Sequence, residues 1–415
     1  MRRADTTTSP VPTLADGLVL RGATEDDIDG IVALNVAAFG EQDGPDVHAF
    51  LADPEILRAW SVVADGARVA SAVARIDHRM QLDGLEFPTA QIEYVATDES
   101  YQRRGLVAAQ MQWHHDACRE AGIAVQMIGG IPYFYRRFGY GYGLEDASLF
   151  LFDRDQVNAI PTPGMKVRIA ARDDVDAILC LEDERPTEGL RVLRDERAWL
   201  RVLGMCAHND WADIFVAEDD DDVVGWARIF DHPKESRTFL LPSVARSPAA
   251  VTALVRAALD RAGDNVVIGF DSPGTVFAEQ LRVLGSPFLL GLGYYVRIPD
   301  PIAFLELLQP VLSRRLAASD LAEGRGTVEI SLYSYGIALD YEEGAVTGVR
   351  KVPGVEDPTD VDGIGVAPDW FPALALGRWK ATDLAKRVDD VLILRDHHLM
   401  NVLFPYRTSD VSGDF

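Results

Sequence analysis

Only three cysteines, Cys118, Cys180 and Cys206, occur in 415 residues, too few and too scattered for a disulfide framework or a CxxC metal site. No stretch of 18 apolar residues exists to span a bilayer as a helix. The opening Met1 to Pro12 lacks the apolar core of a secretory signal, so a reducing cytoplasm is the expected compartment. Positive charge is also short: 40 basic residues stand against 65 acidic ones, for a net charge of −25. Such a chain is repelled by nucleic acid and by anionic membranes, and its acidic surface suits solubility and cationic partners such as polyamines. Ser331 and Ser334 sit in no G-x-S-x-G elbow, which leaves hydrolase chemistry without support. What remains is a globular composition, 48% hydrophobic and 25% charged, with length for two or three domains.

The chain repeats itself. Val19 to Leu34 reads as a strand, a turn and a helix start, with Thr24 or Asp26 as cap and Ile28, Ile31 and Leu34 on the apolar face. Val167 to Leu181 repeats the pattern, with Asp173-Asp174-Val175-Asp176 falling on Asp26-Asp27-Ile28-Asp29 at an offset of 173 − 26 = 147. Ala74-Arg75-Ile76 and Ala227-Arg228-Ile229 each close a strand after a turn, at an offset of 227 − 74 = 153. Two matches at nearly one offset imply a duplicated domain. After Ile298-Pro299-Asp300-Pro301 comes a different α+β unit: an apolar helix from Ile302, then alternating segments Thr327 to Leu332 and Gly336 to Tyr341.

The most informative stretch is Gln91 to Gly122. A strand carrying Ile92, Tyr94 and Ala96 runs into the turn Thr97 to Ser100. Gln102-Arg103-Arg104-Gly105-Leu106-Val107 then opens a helix. Strand, tight basic turn with glycine and helix start together make an anion cradle. Unpaired backbone N–H groups and the positive helix end converge where a pyrophosphate fits. Downstream, Gly129 to Gly141 is rich in tyrosine, a residue able to give a proton to a departing thiolate.

Gln102 to Val107 resembles motif A of the GCN5-related N-acetyltransferase (GNAT) superfamily, Q/R-x-x-G-x-G/A, with Val107 where glycine or alanine is usual. The resemblance implies that acetyl-CoA is held by Val95, Ala96 and Thr97 on the strand and by Arg103, Arg104, Gly105, Leu106, Val107 and Ala108 in the cradle. Tyr135-Arg136-Arg137-Phe138-Gly139-Tyr140-Gly141 is similar to a segment of the Eis (enhanced intracellular survival) acetyltransferases. That likeness implies Tyr135 as proton donor and Gly130 and Ile131 as further cofactor contacts. Eis-like chains end in Phe and use the terminal carboxylate as proton acceptor, and this chain ends in Phe415.

The implied fold class is α+β. A catalytic GNAT domain is expected over 1–150, a degenerate second GNAT domain over 151–297 and a sterol-carrier-like domain over 298–415. The second copy carries Pro and Ser within Leu240 to Ala258 where the cradle should be, and Leu281 falls opposite Tyr135. It is expected to be catalytically silent. The resemblance further implies acetyl transfer to a primary amine of a polyamine or aminoglycoside-like acceptor, no metal, and a hexamer. A lysine Nε-acetyltransferase and a non-catalytic acyl-CoA or lipid carrier are the alternatives. His114-His115 cannot chelate one ion, since neighbours on a helix point about 100° apart. They are expected to be solvated or packed, as are His397-His398. Cys118 reads as packing, the Asp219 to Asp222 run as a solvated hairpin turn, and Phe39, Trp60 and Phe87 as core.

Overall fold

The computed structural model describes residues 14, 17–41, 43–144, 148–207, 212–232, 235–270, 274–288, 294–355, 362–393 and 395–411. The chain divides into two compact units, 1–77 with 90–123, and 78–89 with 124–415.

In the first unit, Leu18–Gly22 pairs antiparallel with Trp60–Asp65, placing Leu20 opposite Val63. Trp60–Asp65 in turn pairs with the start of Arg68–Leu82, with a bulge between Val63 and Ala64. The strand Leu85–Thr97 follows next in the order. Trp60 to Ala64 and Val69 to Ala74 are buried without a break, so both faces of these two strands are covered. The helix Ile28–Phe39 starts from a capping box. The Thr24 N–H donates to Asp27 Oδ2 at 2.8 Å, and Arg21 grips the same carboxylate with two donors at 2.6 and 2.8 Å. The cap is thus Thr24 with Asp27, and Asp26 is exposed. Trp60 and Phe87 are buried as expected, but Phe39 is 40% exposed, because it closes its helix one residue before Gly40 turns the chain away.

The second unit holds the repeat. Lys166–Ile169, the helix Val175–Asp183 and the hairpin Ala212–Asp219 with Asp222–Asp231 reproduce the opening of the first unit. The clamp recurs as well: Arg168 holds Asp174 through two donors at 2.7 and 2.8 Å. The four aspartates are a hairpin turn, with Asp220 and Asp221 in the left-handed region at φ 50 and 71°.

Strand pairing does not respect the borders between copies. Leu149–Phe152, which follows the first copy, lies between Val266–Phe270 and Gly285–Phe288 of the second. Reciprocally, Tyr295–Arg297 at the end of the second copy pairs with both Val125–Ile128 and Gly141–Tyr142.

The last part is a five-stranded sheet, Arg325–Ser331 at its centre, against the 17-residue helix Pro301–Ala317. Phe304, Leu308, Leu312, Ile330, Leu339 and Phe404 pack into one buried cluster. The apolar helix and the alternating segments of this part therefore pack against one another. Asp83, at the tip of the long hairpin, accepts from Arg315 at 2.8 Å and Arg407 at 2.9 Å, which holds its carboxyl below the usual range despite burial.

Candidate active site

The cradle is present in the first unit and is built by backbone conformation. Arg103 and Gly105 both adopt left-handed φ, 62° and 81°, so the loop curls twice within three residues. An added Cβ at Gly105 would meet nothing within 4 Å, so glycine is required here for conformation and not for space. Gly105 is the cap residue of the helix Leu106–Glu120, and no side chain caps that start. The N–H groups of the first turn have no acceptor further up the helix, and no acidic residue lies among them to compete for an anion. Arg103 and Arg104 are exposed; Arg104 donates to the Ser100 carbonyl at 2.9 Å and lies 4.9 Å from the centre of the Tyr101 ring. Val107 in place of glycine or alanine is inside the helix, where its side chain leaves the loop dihedrals untouched. This donor set, with two arginines at a helix start, fits a pyrophosphate.

The strand before the cradle holds a feature that alternation hid. Tyr94 has φ 51°, a left-handed residue in mid-strand that interrupts the extended repeat just before Val95, Ala96 and Thr97. Its ring stacks on Trp60 at 5.5 Å. An aromatic residue held in this region stores about 1–3 kcal/mol of strain, which such packing must offset.

A buried polar network ties strand to helix. Ser71 Oγ lies 2.6 Å from Gln110 Oε1, 2.8 Å from Thr97 Oγ1 and 3.0 Å from the Ala96 carbonyl. Gln110 Nε2 donates to the Ser61 carbonyl at 3.1 Å. His114 Nε2 is 3.0 Å from Ser61 Oγ and 3.2 Å from the Val73 carbonyl. A carbonyl only accepts, so Nε2 carries a proton. Burial, with Arg75 adding to it, pushes this imidazole down to about 3. His114 and His115 are both buried, a packed pair and not a solvated one. The signal for this network was in the sequence: Leu106, Gln110 and His114 recur every four residues on the face turned to the sheet.

In the second unit, Tyr135 lies on the 3-10 turn Phe134–Phe138 and is buried, edge-on to Phe134 at 5.0 Å and to Tyr295 at 5.8 Å. Gly130 is at φ 140°, and a Cβ there would come within 3.0 Å of the Tyr135 ring. Ile131 is 64% exposed. Arg136 forms an ion pair with Asp369, and Arg378 donates to the Tyr142 carbonyl at 2.8 Å, so the turn is held from beyond residue 298. In the repeat, Leu281 is buried in the helix Val276–Leu284, and the helix Pro248–Ala262 is capped by its own Ser247, which accepts from the Ala250 N–H. Phe415 lies outside the described residues. The segment leading to it is anchored: Ser409–Asp410 pairs with Leu190–Arg191, and Asp410 meets Arg185. Leu403 and Phe404 are buried there, while Tyr406 is 47% exposed. Among the described residues no helix is long and apolar enough to cross a membrane.

Residues 19–143 match the family model described as an acetyltransferase (GNAT) domain. The N-acetyltransferase Eis of Mycobacterium tuberculosis (strain CDC 1551 / Oshkosh) is 32% identical over 142 residues, covering 30% of this chain and 32% of the relative. The Mycobacterium bovis protein of the same name (strain ATCC BAA-935 / AF2122/97) matches equally. The match thus spans about a third of the curated relatives' length. Among solved structures, a GCN5-related N-acetyltransferase from Kribbella flavida superposes with a TM-score of 0.65 at 19% identity, covering 96% of this chain and 98% of that one. Eis1 from Mycobacterium abscessus does so with a TM-score of 0.64 at 15% identity, covering 96% and 100%. At such identities the likeness is one of fold, and it extends over nearly the whole length.

Proposed function

We propose that the chain, whose residues 19–143 match the acetyltransferase (GNAT) domain model, is an acetyl-CoA-dependent N-acetyltransferase acting on a primary amine. The observation that carries this reading is the cradle. Two left-handed residues and an uncapped, acid-free helix start lie in Gln102 to Val107, the stretch that resembles the family's motif A. The relatives' shared name, N-acetyltransferase, supports the same class of reaction.

Acetyl-CoA supplies the acetyl group as a thioester. The N–H groups of Gly105 to Ala108, with Arg103 and Arg104, would hold its pyrophosphate. Val95, Ala96 and Thr97, just past the left-handed Tyr94, would pair with the pantetheine arm as a short added strand. The amine nitrogen bonds to the thioester carbon as the C–S bond breaks. Tyr135 gives its phenolic proton to the sulfur, and the Phe415 carboxylate takes the proton from nitrogen. Gly130 and Ile131 are assigned as further cofactor contacts. Acceptors of the polyamine or aminoglycoside class suit a chain of net charge −25. A homo-hexamer in the cytoplasm completes the proposal.

The test is thiol release from acetyl-CoA with aminoglycosides, polyamines and lysine peptides. Tyr135→Phe and a chain lacking Phe415 should each lose about 10²- to 10⁴-fold in turnover with acetyl-CoA binding retained. Preference for lysine peptides would make the chain a protein acetyltransferase. Binding without release for any amine would make it an acyl-CoA carrier.

A further inference from the structure

A copy that keeps neither cradle nor acid still donates a strand to the first copy's sheet, and that strand carries Tyr295. We propose that Tyr295 is a positioning residue for the first copy's chemistry: its hydroxyl holds the turn that presents Tyr135. The inference rests on the reading of Tyr135 as the proton donor.

Tyr295 is fully buried, paired opposite Ile128 on one side and Tyr142 on the other. Phenylalanine would fill the same volume without a hydroxyl to satisfy, since an unpaired buried hydroxyl costs about 1–3 kcal/mol. Here the hydroxyl has two partners. It accepts from the backbone N–H of Tyr133 and donates to Tyr142 Oη at 2.7 Å. The phenol stays a neutral hydrogen-bonding group, because burial and the Tyr142 contact push it up to about 12.

Tyr133 is the telling partner. Its φ of 69° is left-handed, its side chain is 74% exposed, and the Arg136 guanidinium is 5.4 Å from its ring centre. Little apolar packing therefore holds this residue in a conformation that costs about 1–2 kcal/mol. The buried anchor at its N–H is the Tyr295 hydroxyl. Two residues later the chain places Tyr135 edge-on to the same Tyr295 ring, with Gly130 close against the Tyr135 ring. Stacking on Tyr142 at 4.3 Å sets the Tyr295 ring plane, and Arg378 holds the Tyr142 backbone from the third part of the chain. A proton donor displaced by about 1 Å loses much of its effect, so this anchor bears on turnover more than on binding.

Tyr295→Phe keeps the ring and removes both hydrogen bonds. The expected result is a kcat at least tenfold lower, KM for acetyl-CoA within twofold of wild type and a nearly unchanged melting temperature. Tyr142→Phe spares the bond to Tyr133 and should cost less than threefold in kcat. In the wild-type protein, hydrogen exchange should show the Tyr133 amide protected in spite of its exposed side chain. Wild-type kcat in Tyr295→Phe beside an inactive Tyr135→Phe overturns the inference and leaves the acid assignment standing. Full turnover in Tyr135→Phe overturns the acid assignment itself. A parallel fall of melting temperature, acetyl-CoA affinity and kcat in Tyr295→Phe, or an unprotected Tyr133 amide, also overturns the positioning role.

Discussion

The two copies differ most where their equivalent helices begin. Leu106–Glu120 starts from a left-handed glycine with no side-chain cap, while Pro248–Ala262 starts from Ser247, whose hydroxyl accepts from the Ala250 N–H. Proline at the first position of the second helix also removes one N–H outright. The first helix leaves its donors for a ligand, and the second satisfies its own. At their openings the copies stay alike, down to the arginine clamp, Arg21 on Asp27 and Arg168 on Asp174. A duplicated domain can keep its folding devices while a change of a few residues at one helix start closes its binding site.

The comparison breaks most decisively at Gly105. Gly105→Val forces a β-branched residue into the left-handed region. It should weaken acetyl-CoA binding about a hundredfold, some 2.7 kcal/mol, by titration calorimetry. Ser247→Gly in the second copy should leave that affinity unchanged; a shift there would show that the second copy binds cofactor after all.

The two helices differ in titratable groups as well, because Pro248–Ala262 contains no histidine where the first carries His114. Folded His114 stays neutral with its value pushed down to about 3, whereas in the unfolded chain it titrates near its ordinary value of about 6.5. Below that value the unfolded state takes up a proton that the folded state cannot. This contribution is complete above about pH 6.5 and declines as pH falls towards 3, with about 2 kcal/mol lost by pH 5. Urea unfolding of His114→Gln from pH 5 to 7 should show a correspondingly flatter acid slope; an unchanged slope would place the proton uptake elsewhere.

The smallest effects test the likeness. Arg21→Met and Arg168→Met each leave a mostly buried aspartate without its arginine and should each cost about 1–2 kcal/mol in denaturant unfolding. Neither should alter acetyl-CoA affinity. Very unequal losses would mean that the clamps share a pattern but not a role, and Glu218, which also meets Arg168, is where to look for the difference.

Much of this molecule was legible in one dimension because its signals are local. The offset of 147 between Asp27 and Asp174, the glycine and arginines before Leu106, and the Ser-Pro start of the second helix are contiguous stretches whose hydrogen bonds close within a few residues. Gln110 and His114 were visible as spacing, but their partners Ser61 and Ser71 come from other strands, so the network appears only when the sheet forms. Tyr94 reads as one more residue of an alternating strand, and its left-handed turn is imposed by its surroundings. By itself the sequence determined the repeat, the cradle and the Ser-Pro start that replaces it in the second copy, since backbone propensity and short-range hydrogen bonds suffice for these. Only the tertiary structure decided that the strand of Tyr295 lies between Val125–Ile128 and Gly141–Tyr142, over 150 residues away in the chain. Pairing between distant strands depends on which edge is open when the sheet closes, and no local pattern encodes that choice.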